Sequence, residues 1–126
     1  MAKQKKLNTI LEAIRLAPSS LGFIPYTVIV IKDKSLKEKL LPHAYNQPQI
    51  VESDAVIVFA AWTDFNEAQV DKYMSQIAEK RNVAVETLSG FAGNIKGKIN
   101  NSSKEDLLIW AENQVYIALG FGLAAA

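Results

Sequence analysis

The sequence predicts an α+β fold in which helices surround a small sheet, and three observations carry that expectation. Two short runs, Tyr26 to Ile31 and Ala55 to Trp62, are rich in β-branched and aromatic residues and are bounded by Pro25, Lys32-Asp33 and Asp54. Four longer stretches place apolar residues at helical spacing. The last of these becomes apolar on every side toward Ala126, so it needs more packing partners than two strands supply.

The first helix is read from Leu7, Ile10, Leu11, Ile14 and Ala17, and Pro18 closes it because the residue before a proline is pushed out of the α region. Pro18-Ser19-Ser20-Leu21-Gly22-Phe23-Ile24-Pro25 then combines two prolines, a glycine and two hydroxyls, the composition of an ordered loop. Neither strand run alternates apolar with polar residues, which predicts strands buried on both faces. Between them, Ser35 is expected to cap a short helix that runs through Leu41 and ends at Pro42. A loop and a short helical turn over His43 to Ser53, including Tyr45-Asn46-Gln47-Pro48-Gln49, complete the crossover.

Beyond Thr63-Asp64 a helix is expected from about Asn66 to Lys80, with Val70, Tyr73, Met74, Ile77 and Ala78 on one side, followed by a turn at Arg81-Asn82-Val83. Val85, Leu88, Phe91, Ala92, Ile95 and Ile99 define another. Gly90, Gly93 and Gly97 weaken it by about 1 kcal/mol each relative to alanine, so packing must hold it. Ser102-Ser103-Lys104-Glu105-Asp106 contains two overlapping capping boxes for a final helix toward Ala126. Gly120 and Gly122 would allow another helix to approach closely. A strand pair alone is not independently stable and leaves open edges. The expectation is one domain over residues 1–126, completed by association, with a twofold dimer as the simplest form.

Composition narrows the chemistry. Of 126 residues, 49% are hydrophobic and 21% charged, the balance of a globular domain. A formal net charge of +1, with no basic block beyond the Lys3 to Lys6 stretch, provides no electrostatic footprint for nucleic acid. The absence of cysteine removes disulfides and thiolate chemistry, and the single His43 cannot anchor a histidine metal cluster. Asn8, Glu12 and Arg15 interrupt what would be the core of a signal peptide. The all-apolar tail, Val115 to Ala126, is shorter than the roughly 20 residues that cross a bilayer. A cytoplasmic protein without membrane contact is expected, and organic cofactor chemistry stays open.

Four segments in order carry a resemblance. They are Ala13-Ile14-Arg15-Leu16-Ala17-Pro18-Ser19-Ser20 followed by Pro25-Tyr26; Tyr45-Asn46-Gln47-Pro48-Gln49; Ala60-Ala61-Trp62-Thr63-Asp64; and Trp110-Ala111-Glu112-Asn113-Gln114-Val115-Tyr116-Ile117-Ala118-Leu119-Gly120. Together they resemble the FMN-dependent nitroreductases, dimeric flavin enzymes that pass hydride from NAD(P)H to nitroaromatics, quinones and similar small acceptors. The resemblance implies FMN as cofactor, NAD(P)H as electron donor, a homodimer, and a small-molecule acceptor. It implies flavin contacts at Pro18, Ser19 and Ser20 from one subunit, with Asn46 and Gln49 as further cofactor-binding residues and Phe91 as a wall of the substrate pocket. It implies no catalytic side chain and no metal. Hydroxyls, carboxamides and backbone amides suit the polar edge of an isoalloxazine ring, because the cofactor performs the chemistry while the protein positions it.

The chain departs from the family pattern at Ile24, where glutamine is usual. Its ends also lack the expected Arg-rich phosphate-gripping segment and the closing strands with their glycine-containing flavin loop. A second reading is therefore a non-catalytic, truncated relative that serves as a dimeric binding or structural protein; a third is a fragment of a longer enzyme. Taken by themselves, Pro18 to Ser20 also work as a helix stop, Asn46 as a turn residue, and Trp62, Trp110 and Tyr116 as core or interface aromatics.

Overall fold

The computed structural model describes residues 2–126. Helix α1 (Ala2–Leu16) leads through a 3-10 turn, Ser20–Gly22, into strand β1 (Tyr26–Ile31). Helix α2 (Lys34–Leu40), a 3-10 turn (Leu41–Ala44) and the single-turn α3 (Gln49–Glu52) precede strand β2 (Val56–Ala61). Helix α4 (Glu67–Arg81), a 3-10 turn (Val85–Leu88), α5 (Ser89–Asn101) and the long α6 (Lys104–Ala125) follow. The fold is α+β, as the sequence predicts.

The strands pair antiparallel, from Tyr26 opposite Ala61 to Ile31 opposite Val56. They are not buried on both faces, which corrects the expectation from their composition. Val28, Ile57 and Phe59 pack toward α1 and α6 with Tyr26, Ile14, Ala17 and Ala118. On the other side Thr27 and Ile29 are exposed, because no described helix covers that face.

Local chemistry explains the helix ends. Asp33, not Ser35, caps α2: its carboxylate accepts the Leu36 N–H at 2.9 Å and the Ser35 hydroxyl at 2.6 Å. Asn66 and Gln69 form a reciprocal capping box on α4, and Asn82 closes that helix in the left-handed conformation at φ 51°. The helix expected from Val85 is divided. The Thr87 hydroxyl donates to the Ala84 carbonyl at 2.6 Å, a local bond that competes with helix continuation, and α5 proper starts at Ser89. Ser103 caps α6, accepting from the Asp106 N–H at 3.0 Å.

Two apolar clusters result. Phe23, Val70, Met74, Ile95, Ile99, Leu107 and Trp110 fill the space between α4, α5 and the first half of α6. The second cluster joins α1, the sheet and Ala118. Gly122 is buried against α1, where an added Cβ would stand 3.0 Å from Ile14 Cδ1, so the helix whose close approach it allows is α1 of the same chain. Gly120 faces open space. The second half of α6 is likewise not buried on every side: Tyr116, Ile117, Phe121 and Leu123 are exposed, since α1 and the sheet cover only one flank. By length and mean hydropathy alone, at 22 residues and 1.3, α6 would also suit a membrane span, although Gln114, Ala118 and Gly122 are buried within the protein.

Candidate functional site

The Pro18 to Ser20 turn is held more firmly than a surface connection requires. Helix α1 ends as Pro18 interrupts it, and Ser19 adopts an extended conformation at φ −136°. The chain then passes through left-handed positions at Leu21 (φ 58°), Gly22 (φ 62°) and Ile24 (φ 50°). A β-branched residue there is a real outlier. Its support is visible: the Ile24 N–H donates to the Ser19 hydroxyl oxygen at 3.0 Å. The Ser20 N–H donates to Gln114 Oε1 at 2.7 Å, while Gln114 Nε2 donates to the Trp110 carbonyl at 3.1 Å, so a buried carboxamide ties the turn to α6. The Tyr73 hydroxyl donates to the Leu21 carbonyl at 3.2 Å and ties it to α4. Gly22 is required for space as well as for φ, because a Cβ would lie 2.6 Å from that hydroxyl.

Phe23 drives the anchor home. Its ring stacks on Trp110 at 6.1 Å between centroids and meets Trp62 and Tyr73 edge-on, each at 5.7 Å. Burial raises the phenol pKa of both Tyr73 and Tyr26 above the ordinary value. Sequence reasoning missed Gln114 and Tyr73 as supports of the turn. Gln114 carries a signal in hindsight: it is a polar residue on the otherwise apolar, inward-facing stripe of α6 that includes Ala111 and Ala118.

Asn46 and Gln49 occupy a different place. They lie in the excursion between β1 and β2, which packs chiefly on itself. Tyr45 and Asn46 are both left-handed, at φ 53° and 52°, and the Asn46 N–H donates to the Leu41 carbonyl at 3.0 Å. The excursion leaves the sheet beyond Ile31 and re-enters at Val56, whereas the Pro18 to Ser20 turn precedes Tyr26, opposite Ala61. The two groups are thus connected to opposite ends of the strand pair, whose six paired residues span roughly 17 Å at ~3.3 Å per residue. No described hydrogen bond joins them. Phe91 is half-buried, with its ring edge against Tyr73 at 6.2 Å, and it lines none of the described hollows.

The residues present suit the polar edge of a flavin ring. Pro18, Ser20, Asn46 and Gln49 are exposed, and the Ser20 hydroxyl and both carboxamides have no partner among the described hydrogen bonds. Basic groups are less free. Arg15 is held by Glu12, with Nε donating to Oε2 at 2.8 Å; that bond lowers the Glu12 pKa and raises that of Arg15. Lys96 bridges Asp71 at 2.7 Å and Glu67 at 3.5 Å, and Lys98 lies 4.8 Å above the Trp110 ring. His43 is exposed, and no group of metal-ligand side chains occurs among the described residues.

The arrangement is that of a known class of scaffold. A nitroreductase homologue of Bacillus subtilis superposes with a TM-score of 0.81 at 18% identity, covering 97% of this chain and 58% of its own, a likeness of fold. A nitroreductase homologue of Exiguobacterium sibiricum, solved in complex with FMN, superposes with a TM-score of 0.73 at 26% identity over 96% of this chain and 59% of its own. In sequence, the major NAD(P)H-flavin oxidoreductase of Aliivibrio fischeri is 30% identical over 126 aligned positions, 95% of this chain and 58% of that protein. The chain belongs to the nitroreductase family, which it matches over residues 3–123. It spans about 58% of the length of the curated relatives it matches first.

Proposed function

We propose that residues 1–126 form one nitroreductase-like domain that binds FMN between two copies of the chain and passes reducing equivalents from NAD(P)H to a small acceptor such as a nitroaromatic or a quinone, in the cytoplasm. The observation that carries this reading is the clamped Pro18 to Ser20 turn, in a chain of this family whose relatives include an FMN complex and an NAD(P)H-flavin oxidoreductase. When bound, FMN would accept and return hydride; the chain's own residues bind, orient and shield.

In this reading the Ser20 hydroxyl and the backbone of Pro18 and Ser19 meet the ring from one copy, while Asn46 and Gln49 reach it from the other. The separation of the two groups along the strand pair favours such a shared site over a site within one chain. Gln114 and Tyr73 keep the turn from relaxing, so little ordering remains to oppose binding. Phe91 belongs to this site only through a rearrangement of its contact with Tyr73. The test is a visible absorption spectrum of freshly purified protein before and after titration with FMN. Flavin absorbance that shifts on binding is expected, and Asn46→Leu should weaken binding by about 1–3 kcal/mol, the penalty for an unsatisfied buried polar edge. Colourless protein that does not respond to FMN would favour the second reading, a dimeric binding protein without redox chemistry, which the Ile24 position motivates.

A further inference from the structure

The excursion that carries Asn46 and Gln49 contains a charged group with no part in the reading above. Lys37, on α2, is 5% exposed, the most deeply buried charged side chain among those described. It forms no ion pair among the described residues. Its ammonium donates to the Val51 carbonyl at 3.2 Å and to the Ser53 carbonyl, across the base of the loop. Both acceptors lie at the C-terminal end of α3, where helix carbonyls lack partners and the dipole favours a cation.

Two features show what this bond has to hold. Helix α3 is a single turn, Gln49–Glu52, too short to persist without outside support. At the tip, Tyr45 and Asn46 are consecutive non-glycine residues in the left-handed region, and Tyr45 is 93% exposed, so no packing of its side chain holds it there. Such backbone persists only where its surroundings over-determine it. Local bonds help: the Asn46 N–H to Leu41, Gln47 N–H to Ala44 and Ile50 N–H to Gln47 carbonyls, each at 3.0 Å. They close the tip onto Leu41, the C-cap of α2, but leave the far end of the loop untied. Lys37 ties that end, Val51 and Ser53, to the same helix and so draws the two ends of the loop together.

We propose that Lys37 is a positioning residue: through the Val51 and Ser53 carbonyls it locks the 41–53 loop so that Asn46 and Gln49 are presented to flavin in one preformed geometry. The inference rests on the flavin reading for its functional half and on geometry alone for its structural half. Two measurements on the full chain separate them. In Lys37→Met, amide exchange at Asn46, Gln47 and Ile50 should quicken by about tenfold or more, with the β1 and β2 amides unchanged. Riboflavin, used as the probe, should bind about tenfold more weakly to Lys37→Met. In an Asn46→Leu, Gln49→Leu background the same substitution should cost nothing further, because a positioning residue has no effect once its targets are gone; a merely structural loss would multiply with that of the double variant. Lys37→Arg should restore much of the loop protection. If Lys37→Met does not fold, Lys37→Gln, which keeps an N–H donor group on a shorter side chain, should show the same selective exchange at reduced amplitude.

Unchanged exchange at the tip, or multiplicative losses of affinity, would overturn the proposal. If neither wild type nor variant binds flavin yet the tip loses protection in Lys37→Met, the flavin reading fails while the lock stands.

Discussion

The two ends of α6 live in different surroundings. Its first half closes a core with α4 and α5, where Ile95 and Val70 are fully buried and aromatic rings interlock around Phe23 and Trp110. Its second half has α1 and the sheet on one flank and leaves Ile117, Phe121 and Leu123 open on the other; the sheet face at Ile29, on the side away from α6, is also uncovered. The difference marks where the chain satisfies itself and where it asks for more surface. A row of exposed apolar side chains along one helix flank is the kind of surface that interfaces use.

The sharpest way to test that division is to injure each side equally. Ile95→Ala should destabilise the chain by about 2–5 kcal/mol in denaturant unfolding, the loss expected from a cavity in a closed core. Ile117→Ala should change it by no more than ~0.5 kcal/mol under conditions where the protein is monomeric. Comparable losses would mean that the two sides are not distinct.

Association supplies the next test. Phe121→Asp places an unpaired charge on the open side, and burying one in an interface costs about 3 kcal/mol or more, so sedimentation should show at least a hundredfold weaker self-association. A variant that associates like the wild type would remove this side of α6 from the interface.

The two glycines of α6 divide along the same line. Gly122→Ala would press a methyl against the buried Ile14, an overpacking cost of about 1–3 kcal/mol that a helix-propensity gain of about 1 kcal/mol offsets only in part, so a net loss of stability is expected. Gly120→Ala meets nothing in the chain and should stabilise the monomer by about 1 kcal/mol through helix propensity. A loss of association on Gly120→Ala would show that the partner approaches there.

The smallest effect concerns the salt links that tie α4 to α5 on the closed side. The Asn100 amide, and then Lys96, lower the Glu67 pKa; the Asp71 carboxylate, and then Glu67, raise that of Lys96. The carboxylate's contribution is present above its unfolded value, ~4.3, and is lost as pH falls through its lowered folded value. The lysine's contribution is present below ~10.4 and lost as pH rises through its raised folded value. Between those limits Glu67→Gln should lower Tm slightly, and the difference from wild type should vanish in acid.

Much of this was legible in the residues because it is local. Pro18 stops a helix wherever it stands, Asn66 and Ser103 cap helices through bonds to residues three positions on, and the β-branched runs paired as strands within a residue of their expected bounds. The Pro18 to Ser20 turn and the Asn46 loop were likewise visible as segments. Where local signals competed, reading went astray. Asp33 outdid Ser35 as a cap because a carboxylate could accept from both Leu36 and Ser35, and Thr87 diverted the chain into a 3-10 turn before α5.

The sequence by itself determined the order and type of the elements, since these follow from spacing, capping and the fixed geometry of proline. Tertiary structure alone decided which flank of each apolar element is covered: hydrophobicity is not directional, so an all-apolar helix states a demand for burial without naming the neighbour. It also decided what holds the candidate site. Gln114 reaches Ser20 only after α6 has packed against α1 from the far end of the chain, and Lys37 reaches Val51 and Ser53 only after α3 has packed against α2; no spacing rule connects either set.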